Sequence, residues 1–196
     1  MGAIDIQEAT IYAEQLLRSP AWWPAPLADQ WCSLYPALFS EHDLEMAHKQ
    51  PRNHFFEWFA AIHLFQCDRS VALVEKYAYP IAHPEKFAVY ASVFSDVERR
   101  KLDAIRKEFG NKQLPDLLVL EPPDYRRPYF VEVKGTDPVT KHRDELTQSQ
   151  KACFQAIRDR LDIRIDVLRV VLVDLKEVGR HAGILEIDGD GSYDVG

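Results

Sequence analysis

The spacing of apolar positions changes period several times along the 196-residue chain. Residues 4–18 place Ile4, Ile6, Ala9, Ile11, Tyr12, Leu16 and Leu17 at helical intervals and stop short of Pro20, which predicts a first helix. A proline-rich aromatic bend follows, Trp22-Trp23-Pro24-Ala25-Pro26, and then a second short helix over 27–38. Trp22 and Trp23 have rings that can stack on bases, although such residues more often fill a core seam. Residues 53–66 are apolar nearly all round, from Phe55 to Phe65, which predicts a helix buried on several sides with Asn53 as its N-cap. Glu57 lies inside that run, so its carboxylate must be paired, protonated or bound to a metal.

The segment 71–79 fits a strand or a helix equally, and 84–109 reads as one or two amphipathic helices ending at Gly110. From there the period drops to two. Leu114–Leu120 reads as a strand, 121–128 as a turn rich in proline and charge, and Tyr129–Lys134 as a second strand ending at Gly135, together an antiparallel hairpin. A polar loop over 136–145 leads to a helix over 147–161 and then to a buried strand over 167–175. The tail predicts a hairpin turning at Asp188–Gly191. This mixture implies an α/β fold, a mixed β-sheet flanked by helices. The expected organisation is a helical extension over residues 1–50 packed on a core domain over 51–196.

Composition narrows the class. Apolar residues make up 46% and charged residues 28%, ordinary for a globular chain. No apolar run approaches the roughly 20 residues of a membrane span. The three cysteines, Cys32, Cys67 and Cys153, are dispersed and in no metal-ligand spacing, and the N-terminus lacks a basic leader, so a reducing cytoplasm is the expected compartment. The net charge of −7 argues against a general nucleic-acid coat protein but not against a nuclease, because metal-binding carboxylates add negative charge at the site itself. Basic clusters exist at Arg99–Lys101, Arg126–Arg127 and Lys141–Arg143.

The chemistry concentrates in the hairpin. Side chains alternate across a strand, so Glu132 and Lys134 share a face while Val131 and Val133 point to the other. A hairpin symmetric about residues 124–125 brings Asp116 near 132–133, beside Glu132. Adjacent carboxylates repel, and one stays protonated unless a divalent cation lies between them. Hard oxygen ligands suit Mg²⁺ or Mn²⁺. A lysine two residues along can polarise a water or hold a phosphate, and the set fits metal-assisted phosphodiester hydrolysis.

Pro115-Asp116 followed by Glu132-Val133-Lys134 resembles the PD-(D/E)XK nuclease signature, and Glu132-Val133-Lys134-Gly135, a polar loop and Leu146-Thr147-Gln148-Ser149-Gln150 opening a helix resembles its VRR-NUC branch. The resemblance covers roughly residues 53–175 and is strongest over 114–156. It implies a restriction-endonuclease-like core, a nuclease with Mg²⁺ or Mn²⁺ as cofactor, and DNA, branched or flapped, as partner. It implies Asp116, Glu132 and the Val133 carbonyl as metal ligands, with Lys134 acting on the attacking water. Glu57 matches the helical acidic residue that many of these enzymes place near the metal, with Glu75 and Glu98 as alternatives. Gln150 matches the glutamine of the following helix in spacing, with Gln148 as the alternative. Lys141, His142 and Arg143 are the candidate phosphate contacts, a mobile surface loop being the competing reading. A homodimer would give a small nuclease the surface to grip both arms of a branched substrate.

Other motifs carry less. The seven histidines have no HxxxH or HxH spacing and read as structural or surface. Asp188-Gly189-Asp190-Gly191 lacks the later ligands of a calcium loop and reads as a turn. No phosphate-cradling glycine loop or nucleophile elbow occurs. A non-catalytic binding module on the same fold would be expected to have lost at least one of Asp116, Glu132 and Lys134, and all three are present.

Overall fold

A computed structural model describes residues 7–14, 25–50, 53–74, 77–81, 83–110, 114–137 and 142–173. The elements in chain order are β1 (Gln7–Glu14), α1 (Ala25–Leu34), α2 (Glu41–Lys49), α3 (Phe55–Asp68), β2 (Val71–Val74), α4 (Pro84–Val93), α5 (Asp96–Phe109), β3 (Leu117–Leu120), β4 (Pro128–Asp137), β5 (His142–Arg143), α6 (Gln148–Leu161) and β6 (Ile165–Val173). The strands form one mixed sheet in the order β1-β6-β4-β3-β2, with β5 paired to β4 beside this path. The β2–β3, β3–β4 and β4–β5 pairs are antiparallel, whereas β4–β6 and β6–β1 are parallel. This is the mixed sheet flanked by helices that the sequence implies.

Each face of the sheet carries its own core. One face packs Leu117, Val119, Val131, Val133, Leu168 and Val170 against Trp31 of α1, Ala47 of α2 and Phe55, Trp58 and Phe59 of α3. The other packs Leu118, Phe130 and Ile165 against Tyr90 of α4, Leu102 and Ile105 of α5 and Phe154 and Ile157 of α6. Trp58 stacks on Phe39 with ring centroids 3.9 Å apart. β4 is buried over most of its length because helices cover both of its faces.

Several expectations need correction. The segment read as a helix over 4–18 contains strand β1, in parallel register with β6 from Gln7↔Asp166 to Glu14↔Val173. Its helical spacing was a local signal. The open edge of β6 supplies a ladder of backbone partners, and the Thr10-Ile11-Tyr12 centre suits a strand. The predicted cap of α3 also differs. Asn53 bonds Gln50, and His54 takes the N-cap position in the left-handed region at φ 69°, without a side-chain cap. Helix α2, which periodicity does not reveal, is announced by a Ser40–Asp43 capping box. Likewise Ser95 and Glu98 cap α5 and split 84–109 into two helices. The tail hairpin, with Asp188–Gly191, and Trp22–Trp23 lie outside the described residues. Among the described residues no helix is long and apolar enough to cross a membrane.

Gly135 fixes how closely α3 approaches β4. A Cβ there would lie 2.4 Å from Cε2 and 2.6 Å from Cδ2 of Phe56, whose ring is held edge-on against Phe55. Gly135→Ala is expected to cost about 1–3 kcal/mol through overpacking. A lower urea midpoint at unchanged m-value would show this, and an unchanged midpoint would mean that α3 gives way freely.

Candidate functional site

The site forms where the β3–β4 pair opens. The last paired residues are Leu117↔Val131, so Asp116, one step further, faces Glu132. Asp116 Oδ2 accepts the Val133 N–H at 2.8 Å, which holds the carboxylate against the central strand. The preceding peptide is also held: the buried Tyr77 hydroxyl donates to the Pro115 carbonyl at 2.7 Å. Burial, followed by the charge of Asp116, raises the Tyr77 pKa, so this hydroxyl stays a donor.

Glu132 is 1% exposed and Lys134 is 8% exposed, both on the β4 face that packs against α6. Lys134 Nζ lies 2.6 Å from Glu132 Oε1. The same oxygen accepts Nε2 of Gln150 at 2.5 Å. Gln150 is the third residue of α6, and its Oε1 accepts the Thr147 N–H at 3.0 Å and the Thr147 hydroxyl at 3.3 Å. The capping box therefore fixes which end of the Gln150 amide faces Glu132. Glu132 Oε1 thus has two donors, while Oε2 is buried with no hydrogen-bond partner among the described residues. A buried carboxylate oxygen left without a partner is costly. Burial first, and then the charge of Asp116, pushes the Glu132 pKa up to about 8; Lys134 acts in the opposite direction, and Glu57 adds to the rise.

Glu57 sits in the first turn of α3, with His54 Nδ1 3.9 Å from its Oε1. Its charge reaches Glu132, so the structure places it in the electrostatic neighbourhood of the carboxylate pair. Of the alternatives, Glu98 caps α5 through Ser95, and Glu75 lies outside the described residues. Gln148 is exposed, and Gln150 is the glutamine that contacts Glu132. Lys141 lies outside the described residues, as does the side chain of His142, while Arg143 is exposed and pairs with Glu145 at 2.5 Å.

The donor set fits a hard divalent cation. Two carboxylates face each other across adjoining strands, and the inner oxygen of one lacks a partner. Magnesium commonly takes one or two carboxylates and keeps several waters. With Asp116 facing Glu132, the protein would supply carboxylates in that sparse mode.

One residue at the site escapes sequence reading. Arg169 pairs in register with Lys134 across β4 and β6 and is 8% exposed. Its signal was a charge inside the apolar run VLRVVLVDL, the same kind of anomaly that singles out Glu57.

Residues 89–172, somewhat under half of the chain, match the family model of the VRR-NUC domain. No curated protein matches the chain. Among solved structures, the crystal structure of paFAN1 bound to 2-nucleotide 5′-flap DNA with a gap is similar at 18% identity and a TM-score of 0.35, covering 89% of this chain and 39% of that one. The chain therefore spans about two fifths of that protein's chain.

Proposed function

We propose that this chain, built around a VRR-NUC domain at residues 89–172, is a metal-dependent nuclease that hydrolyses phosphodiester bonds in DNA, branched or flapped DNA being its preferred substrate. The observation that carries the reading is the arrangement around Glu132: Asp116 faces it, Lys134 and Gln150 occupy Oε1, and Oε2 is left open in a buried site.

Asp116, Glu132 and the Val133 carbonyl would hold Mg²⁺ or Mn²⁺, with Glu57 holding a second ion or an ordered water. When bound, the ion supplies a lowered water pKa and offsets charge on the phosphate. Lys134, the buried cation of the set, orients the attacking water and stabilises charge that grows on the phosphate oxygens. Gln150 holds Glu132 by one oxygen and thereby selects which oxygen stays open. Lys141, His142 and Arg143, on the segment that follows β4, contact the phosphate backbone away from the cut. A second copy of the chain would extend the grip on a branched substrate.

The test is cleavage of end-labelled single strand, duplex, 5′ flap and four-way junction by the purified protein with Mg²⁺ or Mn²⁺. Cutting is expected, lost in EDTA and reduced about a hundredfold or more in Lys134→Ala. Absence of cutting on every substrate with both metals would overturn the reading.

The raised pKa of Glu132 also gives a pH dependence. The unfolded chain releases this proton near 4.5, while the folded protein keeps it until about 8. Excess protons on the folded state mean that its contribution to stability is complete below 4.5 and is lost as pH rises through about 8. Metal-free protein is therefore expected to lose Tm across this window from Glu132, and the Tm gained from added Mn²⁺ should grow over the same window. A metal-induced gain that does not change with pH would contradict it.

A further inference from the structure

Arg169 stands beside Lys134 on the same face of the sheet, yet its guanidinium turns to the chain that returns from β4 to α6. Nη1 donates to the Asp144 carbonyl at 2.9 Å and lies 3.4 Å from the Thr136 hydroxyl, and Nη2 reaches Glu145 Oε2 at 3.3 Å. Both backbone groups of Asp144 are held, because its N–H donates to the Gly135 carbonyl at 2.9 Å. Three residues after Asp144 comes Thr147, the N-cap whose hydroxyl and N–H fix Gln150, and Gln150 holds Glu132. Hydrogen bonds at either end, joined by the short stretch of chain from Asp144 to Thr147, thus connect Arg169 to the open carboxylate.

A buried guanidinium is an expensive way to fill a strand position that a leucine would fill without desolvating a charge. What the guanidinium adds is geometry: a planar fork that reaches oxygens on separate segments, which a lysine cannot do. We propose that Arg169 is a positioning residue for the nuclease site, clamping residues 144–145 so that Gln150 meets Glu132 Oε1 and leaves Oε2 open. This rests on the nuclease reading above only where activity is the readout.

The test uses the full chain with Arg169→Met, Arg169→Lys, Gln150→Ala and the Arg169→Met/Gln150→Ala double variant. On the preferred DNA, Arg169→Met is expected to lower kcat about tenfold to a hundredfold with little change in KM, as outer partners of a metal site do. Arg169→Lys should recover part of the loss. On the Gln150→Ala background Arg169→Met should cost little more, because both act through one contact. Additive losses, or a loss confined to KM, would overturn the proposal. The ¹⁵N-resolved side-chain amide resonances of Gln150 provide a readout that needs no cleavage. They should move toward those of a free glutamine in Arg169→Met and move less in Arg169→Lys, and unchanged resonances would overturn the clamp. If the wild-type protein cuts no DNA while these resonances move, the nuclease reading falls and the clamp stands. If Arg169→Met does not fold, the Arg169→Lys resonances decide alone, since an intact clamp predicts that they shift.

Discussion

Asp116→Asn is expected to lower kcat/KM for metal-dependent cleavage by about a thousandfold or more while leaving the protein folded. The substitution is nearly isosteric, and the amide oxygen of asparagine can still accept the Val133 N–H that Asp116 accepts at 2.8 Å. The strand register and the Tyr77–Pro115 bond therefore have no reason to change. What disappears is one of the two facing negative charges. That loss removes a charged oxygen from the proposed metal site, and it also removes part of what raises the Glu132 pKa, so the remaining carboxylate should ionise at lower pH. Three measurements together check the argument: cleavage rate, Mn²⁺ affinity by titration calorimetry, and Tm. Loss of activity and affinity with Tm maintained or raised is the expected result, because Glu132 no longer faces the charge that opposes its ionisation. Loss of activity with a collapse in Tm would make Asp116 a structural residue, and full activity would remove it from the site.

The second large effect is on stability, away from the carboxylates. Lys86 of α4 and Asp43 of α2 are each 6% exposed. Lys86 Nζ bonds Asp43 Oδ1 and the Val74 carbonyl at the end of β2, tying together two helices that cover opposite faces of the sheet. Asp43 also accepts the Ser40 N–H at 2.9 Å and so caps its own helix. Lys86→Met removes the cation and leaves a buried carboxylate without its charge partner. Breaking such a pair from one side costs about 3–5 kcal/mol, a large part of what holds a domain of this size together. Urea unfolding should show a sharply lower midpoint. Adding Asp43→Asn should restore much of the loss, because asparagine removes the stranded charge and can still cap α2. A double variant as unstable as the single one would show that the Val74 carbonyl, rather than the ion pair, is what Lys86 serves.

The order and type of most core elements, and the chemistry of the hairpin, were determined by the sequence itself. Pairing in β3–β4 is a short-range matter. The turn over 121–127 sets the register, alternation puts Glu132 and Lys134 on one face, and the same count brings Asp116 opposite Glu132. The Thr147–Gln150 capping box is equally local, so the glutamine of α6 was legible from spacing, although its bond to Glu132 was not. What only the tertiary structure decided are contacts made across long separations. β1 is a strand because β6, more than 150 residues later, offers it a backbone edge, and nothing within residues 4–18 encodes that edge. Arg169 looks like an interrupted apolar run until β6 is laid against β4 and its fork meets Asp144 and Thr136. Glu57 stands out as a charge in an apolar helix, but only the packing of α3, allowed by the bare backbone at Gly135, brings that charge to bear on Glu132. Local patterns specify how a segment can bond to itself and to its neighbours in the chain. Which distant backbone edge or buried charge it meets depends on the packing of the whole sheet, and that is where the sequence alone stops being sufficient.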